Sequence, residues 1–239
     1  MRERRLFTDQ ALSTGETIVL KDKTAHYLLQ VLRQKVGDTI TLFNGQGGSF
    51  SAEIKTAQKK QAEILIGQFD AQDHMPSQQF NLAVGVIKQD KMDFLIQKAT
   101  ELGVSQIQPL LTTYTDIKLQ GERLFKKQQH WQQVAISACE QANRNRVPTI
   151  MLPSSFNQWL DQLDAPCLGF HPYSKIAFKR DKIQQQPEIT FAFGPEGGFS
   201  ETEVKAAIHQ GVQFVHLGSR ILRAETAPLA VLAAVQLGS

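Results

Sequence analysis

Two stretches in the last quarter of the sequence combine backbone freedom with charged side chains. Gly194-Pro195-Glu196-Gly197-Gly198-Phe199-Ser200 packs three glycines and a proline into five positions, and Leu217-Gly218-Ser219-Arg220-Ile221-Leu222-Arg223-Ala224-Glu225-Thr226-Ala227 sets a glycine beside two arginines and a glutamate. Such loops admit φ > 0 and let a ligand reach main-chain N–H and C=O groups with no Cβ in the way. The chemistry they offer is recognition of a cofactor by main-chain groups; a tight strand-to-helix turn has the same composition, and the pattern alone admits both readings. Neither stretch ends in the Gly-Lys-Ser/Thr of a phosphate-binding loop, and neither has the spacing of a dinucleotide fingerprint.

The elements that must position these loops are legible around them. Ile189 to Phe193 is an apolar run that reads as a buried strand, and Ser200 with Glu203 three residues on has the form of a capping box ahead of the apolar positions Val204, Ala207 and Ile208. The order then repeats. Val212, Phe214, Val215 and Leu217 form a second strand, and Ala227 to Leu237 a strongly apolar helix with Pro228 in its tolerated first turn. Strand, loop, helix, taken twice, predicts a parallel sheet with both loops at the carboxyl ends of strands, lining one pocket. Cys167 to Phe170, running into His171-Pro172, predicts a third such loop.

Upstream, Phe80 to Val86 reads as a strand leading to a helix capped by Asp90, with Met92, Leu95, Ile96, Ala99 and Leu102 inward and Gly103 as its stop. Val104 to Leu111 returns as a strand. Glu122 to Asn143 is a long helix, and Pro148 to Pro153 a further short strand. Before Asp70 the signals are short and mostly β: Thr17 to Leu20, Thr39 to Phe43, Phe50 to Ile54 and Ala62 to Ile66, interrupted by one helix capped by Thr24 and ended by Gly37. The polar, turn-rich run Asp70 to Ser77 marks the boundary between a domain over 1–72 and one over 73–239.

With 239 residues, 41% hydrophobic and 21% charged, the chain has the composition of an ordinary globular protein. A formal charge of +3 permits a nucleic-acid partner without demanding one. Cys139 and Cys167 have no paired or metal-like spacing, which predicts a reduced, cytoplasmic protein with no metal site. The charged start Met1-Arg2-Glu3-Arg4-Arg5 leads into no signal-peptide core, and no stretch approaches the ~20 apolar residues of a membrane span.

The two loop motifs together resemble the bacterial 16S ribosomal RNA (uracil-N3)-methyltransferase family of the SPOUT superfamily. The likeness extends to His26, Val31-Leu32-Arg33 and Gly37-Asp38, to Lys88, Asp90, Lys91, Lys98 and Thr100-Glu101-Leu102-Gly103-Val104, and to Glu140-Gln141 with Arg144. It breaks at Tyr114 to Lys118, where the family usually carries an acid-Arg-Ser run and this chain has Asp116 followed by Ile117 and Lys118. The resemblance implies an α/β fold: a SPOUT domain whose C-terminal chain threads a trefoil knot, preceded by a small PUA-like β-barrel that grips RNA. It also implies a cytoplasmic homodimer, S-adenosyl-L-methionine as methyl donor, and 16S rRNA within the small ribosomal subunit as substrate. Two readings stand beside it: a SPOUT enzyme acting on another RNA nucleotide, and a non-catalytic RNA-binding assembly factor.

Carried onto this chain, the family's donor site falls on Phe170, His171, Gly194, Pro195, Glu196, Gly198, Leu217, Gly218, Ile221, Leu222, Arg223 and Thr226. Methylating uracil N3 requires loss of its proton and stabilisation of charge on the flanking carbonyls, so Arg223 is the candidate for the charge and Glu196 or Glu225 for the proton. Candidate RNA contacts are Arg4, His26, Arg33, Lys88, Lys91, Arg144 and Arg146. For several a plain structural role competes: His26 as a helix-cap histidine, Arg33 as a surface charge, and Arg144 as partner of Glu140 in a helix-surface pair worth about 0.3–0.5 kcal/mol.

Overall fold

The computed structural model describes residues 4–73, 78–116 and 120–236. His74 to Ser77 of the turn-rich run, Ile117 and Lys118, and Leu237 lie outside the described residues. The chain divides into two compact units, one of residues 1–75 with 139–147 and one of 76–138 with 148–239.

The first unit is built on a five-stranded sheet. Its strands are β1 (Arg5–Phe7), β2 (Thr17–Lys21), β3 (Thr39–Phe43), β4 (Ser49–Gln58) and β5 (Gln61–Asp70), in the order β1-β3-β4-β5-β2. Only the β1/β3 pair is parallel. Period-2 alternation sends Ile18, Leu20, Ile40, Leu42, Ala52, Ile54, Ile64 and Ile66 into one core. Shifts of register between Phe50 and Ala52, and again between Ile54 and Thr56, interrupt the β4/β5 ladder as bulges do, bending the strand.

The helix between β2 and β3 differs from expectation. It starts at Asp22 as α1 (Asp22–His26), with Thr24 inside it, and runs into a π-helical turn over Tyr27–Val31. Its stop is Arg33 rather than Gly37: Arg33 takes φ +56°, and the N–H of Gln34 reaches back to the carbonyl of Leu28 at 3.1 Å. A left-handed residue with this backward bond is a C-terminal cap, here made without glycine.

In the second unit an all-parallel sheet carries helices on both faces. Its elements are β6 (Gln79–Gly85), α2 (Gln89–Glu101), β7 (Gln106–Leu111), α3 (Glu122–Ala142), β8 (Thr149–Ile150), β9 (Ser154–Ser155), α4 (Phe156–Asp161), β10 (Cys167–Phe170), β11 (Glu188–Phe193), α5 (Glu201–His209), β12 (Gln213–Val215) and α6 (Thr226–Gln236). The strand order is β12-β10-β11-β6-β7-β8, with β9 also on β7. Alternation along the strands sorts side chains by size. Leu82, Val84, Phe191 and Phe193 face α2 and α6, while Ala83 and Ala192 face the smaller core made with Phe156, Trp159, Leu160 and Ala207.

The apolar α6 belongs to that larger core, through Val231, Leu232 and Val235. It leaves the edge strand β12 yet packs on α2 and β11, well inside the sheet. Helix α2 begins two residues earlier than expected, and Lys88, not Asp90, occupies its N-cap without a side-chain bond. Asp90 lies in the first turn, where its charge favours the helix dipole. The last turn of α3, from Cys139, belongs to the first unit; Asn143 ends it at φ +56°, with the Arg144 N–H on the Cys139 carbonyl at 3.2 Å.

Candidate active site

Three loops leave the carboxyl ends of neighbouring strands β10, β11 and β12 and meet around one cavity of about 520 Å³. From the first come Phe170, His171, Pro172 and Tyr173, from the second Gly194 to Gly198, and from the third His216 to Gly218 and Arg220 to Glu225. All the residues carried over for donor binding line it except Thr226, which is the first residue of α6 and lies just outside. Rings of Phe170 and Phe193 stack at 4.5 Å between centroids and 8° between planes, making a flat wall from two strand ends.

Local chemistry shapes each loop. Gly218 takes φ +93°, a conformation an L side chain resists, and its N–H donates to Nδ1 of His216 at 3.0 Å. At Gly194 the constraint is closeness, for a Cβ there would fall 2.5 Å from the carbonyl carbon of Gly198. The capping box at Ser200 forms as expected, with the Glu203 N–H donating to Ser200 Oγ at 3.3 Å and the Ser200 N–H to Glu203 Oε2 at 2.8 Å. Oε1 of Glu203 accepts from the Thr113 N–H at 2.8 Å, which ties the segment after β7 to the end of the glycine loop. Next to it, where the sequence departs from the family's acid-Arg-Ser run, Tyr114 stands over Gly197 so closely that a Cβ there would meet the Tyr114 Cβ at 2.9 Å and its ring at 3.3 Å.

Three charged groups cluster in the cavity wall. Lys91, expected at RNA phosphate, extends from the first turn of α2 into the lining, its Nζ 3.5 Å from Glu196 Oε1 and 3.8 Å from Glu225 Oε2. The Glu196 side chain is 43% exposed and that of Glu225 only 13%. Oε2 of Glu225 is buried and has no hydrogen-bond partner among the described residues. Arg223 is exposed, its carbonyl accepting from the N–H groups of Thr226 and Ala227 at 2.9 and 3.0 Å, so the start of α6 fixes the backbone that carries it.

His216, Tyr173, Gly197 and Arg220 also line the cavity and were not among the expected site residues. The expected strand ran on to Leu217 and so held His216 inside it; the strand ends at Val215, which puts His216 at its carboxyl end.

The remaining basic candidates separate by exposure. In the first unit Arg4, His26 and Arg33 are exposed, and Arg146 is exposed and paired with Asp73, Nε to Oδ2 at 2.5 Å. Lys88, in the second unit, is exposed at the start of α2. Arg144 is a correction: it is buried, 4% exposed, and its Nε donates to the carbonyl of Arg146 at 3.1 Å. Burial lowers its pKa, and its role there is to hold the turn after α3. Its neighbour Glu140 accepts the Phe7 N–H at 3.0 Å, and burial raises the pKa of that carboxyl.

Comparison with known proteins follows the same lines. Residues 74–236 match the RNA methyltransferase domain family, and residues 20–67 match the RNA methyltransferase PUA domain. The chain is 32% identical over 240 residues to a ribosomal RNA small subunit methyltransferase E of Buchnera aphidicola, covering 98% of this chain and 95% of that one. It is 30% identical to the protein of the same name from Bacillus subtilis, over 95% and 93%. Among solved structures, a ribosomal RNA small subunit methyltransferase E from Neisseria gonorrhoeae bound to S-adenosyl methionine superposes with a TM-score of 0.90 at 36% identity, over 99% of this chain and 98% of that one. A methyltransferase from Legionella pneumophila in complex with the same molecule gives 0.94 at 32%, with the same coverage.

Proposed function

The chain belongs to the RNA methyltransferase family, and on that premise we propose that it transfers a methyl group from S-adenosyl-L-methionine to N3 of a uridine in the 16S rRNA of the small ribosomal subunit. The observation that carries the reading is the convergence of three strand-end loops on one cavity, in a chain that matches donor-bound relatives from end to end.

The cavity fits the donor in size and chemistry. About 520 Å³ lies within the usual range for small-molecule sites. Phe170, Leu217, Ile221 and Leu222 give apolar walls, Gly194, Gly198 and Gly218 open the backbone, and the carboxylate of Glu196 suits a ligand that carries positive charge. The donor supplies a methyl group already activated on a sulfonium. The protein's part is therefore mainly placement, which can account for much of the catalysis. Arg223 would stabilise negative charge on the uracil carbonyls, and Glu196 or Glu225 would take the proton. Arg4, His26, Arg33 and Arg146 in the first unit and Lys88 in the second are offered to the RNA backbone.

The reading includes a cytoplasmic homodimer and the C-terminal knot. In its support, Tyr173 and Ile221 on the cavity rim are 77% and 71% exposed, apolar surface that a second subunit would cover. The return of α6 from the edge strand to the middle of the sheet is the kind of crossing a threaded chain makes. No helix among the described residues is long and apolar enough to cross a membrane.

The test is methyl transfer from labelled S-adenosylmethionine to small subunits taken from cells that lack this activity, followed by nucleoside analysis. Labelled 3-methyluridine is the expected product. Another methylated nucleoside would move the protein to a different target, and donor binding with no transfer to any RNA would favour an assembly factor.

A further inference from the structure

We propose that Glu225 is the group that takes the proton from uracil N3, and that Lys91 is a positioning residue that holds Glu225 ready for that step. The inference rests on the methyltransferase reading and names the base within that site.

Four side chains in the cavity wall carry an atom that could accept a proton: His171, His216, Glu196 and Glu225. Both histidines are engaged at Nδ1. That of His216 lies 3.0 Å from the Gly218 nitrogen and 3.2 Å from the Gly218 carbonyl oxygen, and that of His171 accepts the Tyr173 N–H at 3.3 Å. Glu196 is 43% exposed, and water competes for its lone pairs.

Glu225 differs from all three. Its Oε2 is buried in the lining with no hydrogen-bond donor, a state that is unfavourable until a ligand brings one. The imide N3–H of uracil is such a donor. Lys91 supplies the complementary part: at 3.8 Å from Oε2 its ammonium is too far to hydrogen-bond, so it faces the carboxylate while leaving that lone pair unengaged. Because Nζ is also 3.5 Å from Glu196, one cation on α2 ties together the loops that follow β11 and β12. Arg223 stands two residues before Glu225 on the same loop, so base and charge-stabiliser arrive together.

In the step itself the N3–H bond breaks and its proton goes to Oε2. The nitrogen pair forms the new N–C bond as the methyl carbon leaves sulfur, the bonding pair stays on sulfur, and Glu225 later returns its proton to water. Arg220 and Tyr173 complete the titratable groups around the cavity, with Lys91, His171, His216, Glu196 and Arg223.

The experiment uses the full chain with unmethylated small subunits, and measures single-turnover methyl transfer against pH together with S-adenosylmethionine affinity by calorimetry. Glu225→Gln is expected to slow transfer by about 100-fold or more, with donor affinity held within about threefold. Its rate should climb about tenfold per pH unit, since the uracil must then ionise unaided, while the unsubstituted protein shows a shallower rise. Lys91→Met should lose part of the rate and Lys91→Arg recover it. Glu225→Asp, judged with its thermal midpoint, guards against a folding defect. An E225Q protein that transfers at an undiminished rate overturns the inference alone, and so does one whose loss is all in donor affinity, which would make Glu225 a ligand of the donor's ammonium. Absence of 3-methyluridine with the unsubstituted protein overturns the functional reading and this inference with it.

Discussion

The backbone N–H of Thr113 donates to one oxygen of Glu203 at 2.8 Å, while the other oxygen holds the Ser200 N–H at 2.8 Å and the Ser200 hydroxyl at 2.9 Å. One carboxylate, 7% exposed, thus caps α5 and fastens the segment after β7 to the exit of the glycine loop. Removing it loses the cap, worth about 1 kcal/mol, and leaves the N–H of buried Ser200 unpaired, while that of exposed Thr113 can turn to water. Glu203→Ala should lower unfolding free energy by about 3 kcal/mol in urea titration, and Glu203→Gln by less, since an amide oxygen can still accept.

At Gly218 the cost of a side chain is conformational. No atom lies within 4 Å of a Cβ built there, but φ is +93°. Gly218→Ala should therefore strain the loop by about 1–2 kcal/mol, and if the turn relaxes, the Gly218 N–H moves off His216. Calorimetry should record roughly a tenfold weaker donor affinity with little change in the thermal midpoint, because the strain lies in a loop outside the core.

The two thiols predict an alkaline limit to stability. Burial pushes Cys139 up to about 11 and Cys167 to about 12, from an ordinary value of 9.0. A raised folded pKa means the folded state keeps its proton longer than the unfolded chain does. The stabilisation is therefore complete below about pH 9 and is lost as pH rises through 11 to 12. Denaturant midpoints should fall over that window, and Cys139→Ala should flatten the fall. At pH 8 a thiol reagent should label both cysteines slowly until denaturant is added.

Much of the site was readable because strand ends and glycines are local signals. Ile189 to Phe193 and Cys167 to Phe170 announce buried strands by composition, and a parallel sheet brings their exits together. The capping box at Ser200 needed only residues three apart. What stayed hidden depends on distant chain. Lys91 reads in the sequence as a lysine for RNA phosphate, and only the adjacency of β6 and β11 carries it to Glu196 and Glu225. Arg144 looks like a surface arginine because helix periodicity cannot report that its turn folds back into the first unit. Arg33 ended a helix in the left-handed region, a place where sequence rules expect glycine.

Arg223 gives the sharpest division between binding and chemistry. Its carbonyl is held by two N–H groups at the start of α6, so truncating the side chain should leave the loop in place. If the guanidinium serves the uracil carbonyls, it matters most when negative charge develops there, in the transition state and not in the donor complex. Arg223→Ala should then cost about 100- to 1,000-fold in single-turnover transfer while the donor's Kd barely changes. Arg223→Lys should recover a part, since a point charge survives but the planar fork does not. Equal losses in Kd and in rate would instead assign Arg223 to the donor side of the cavity.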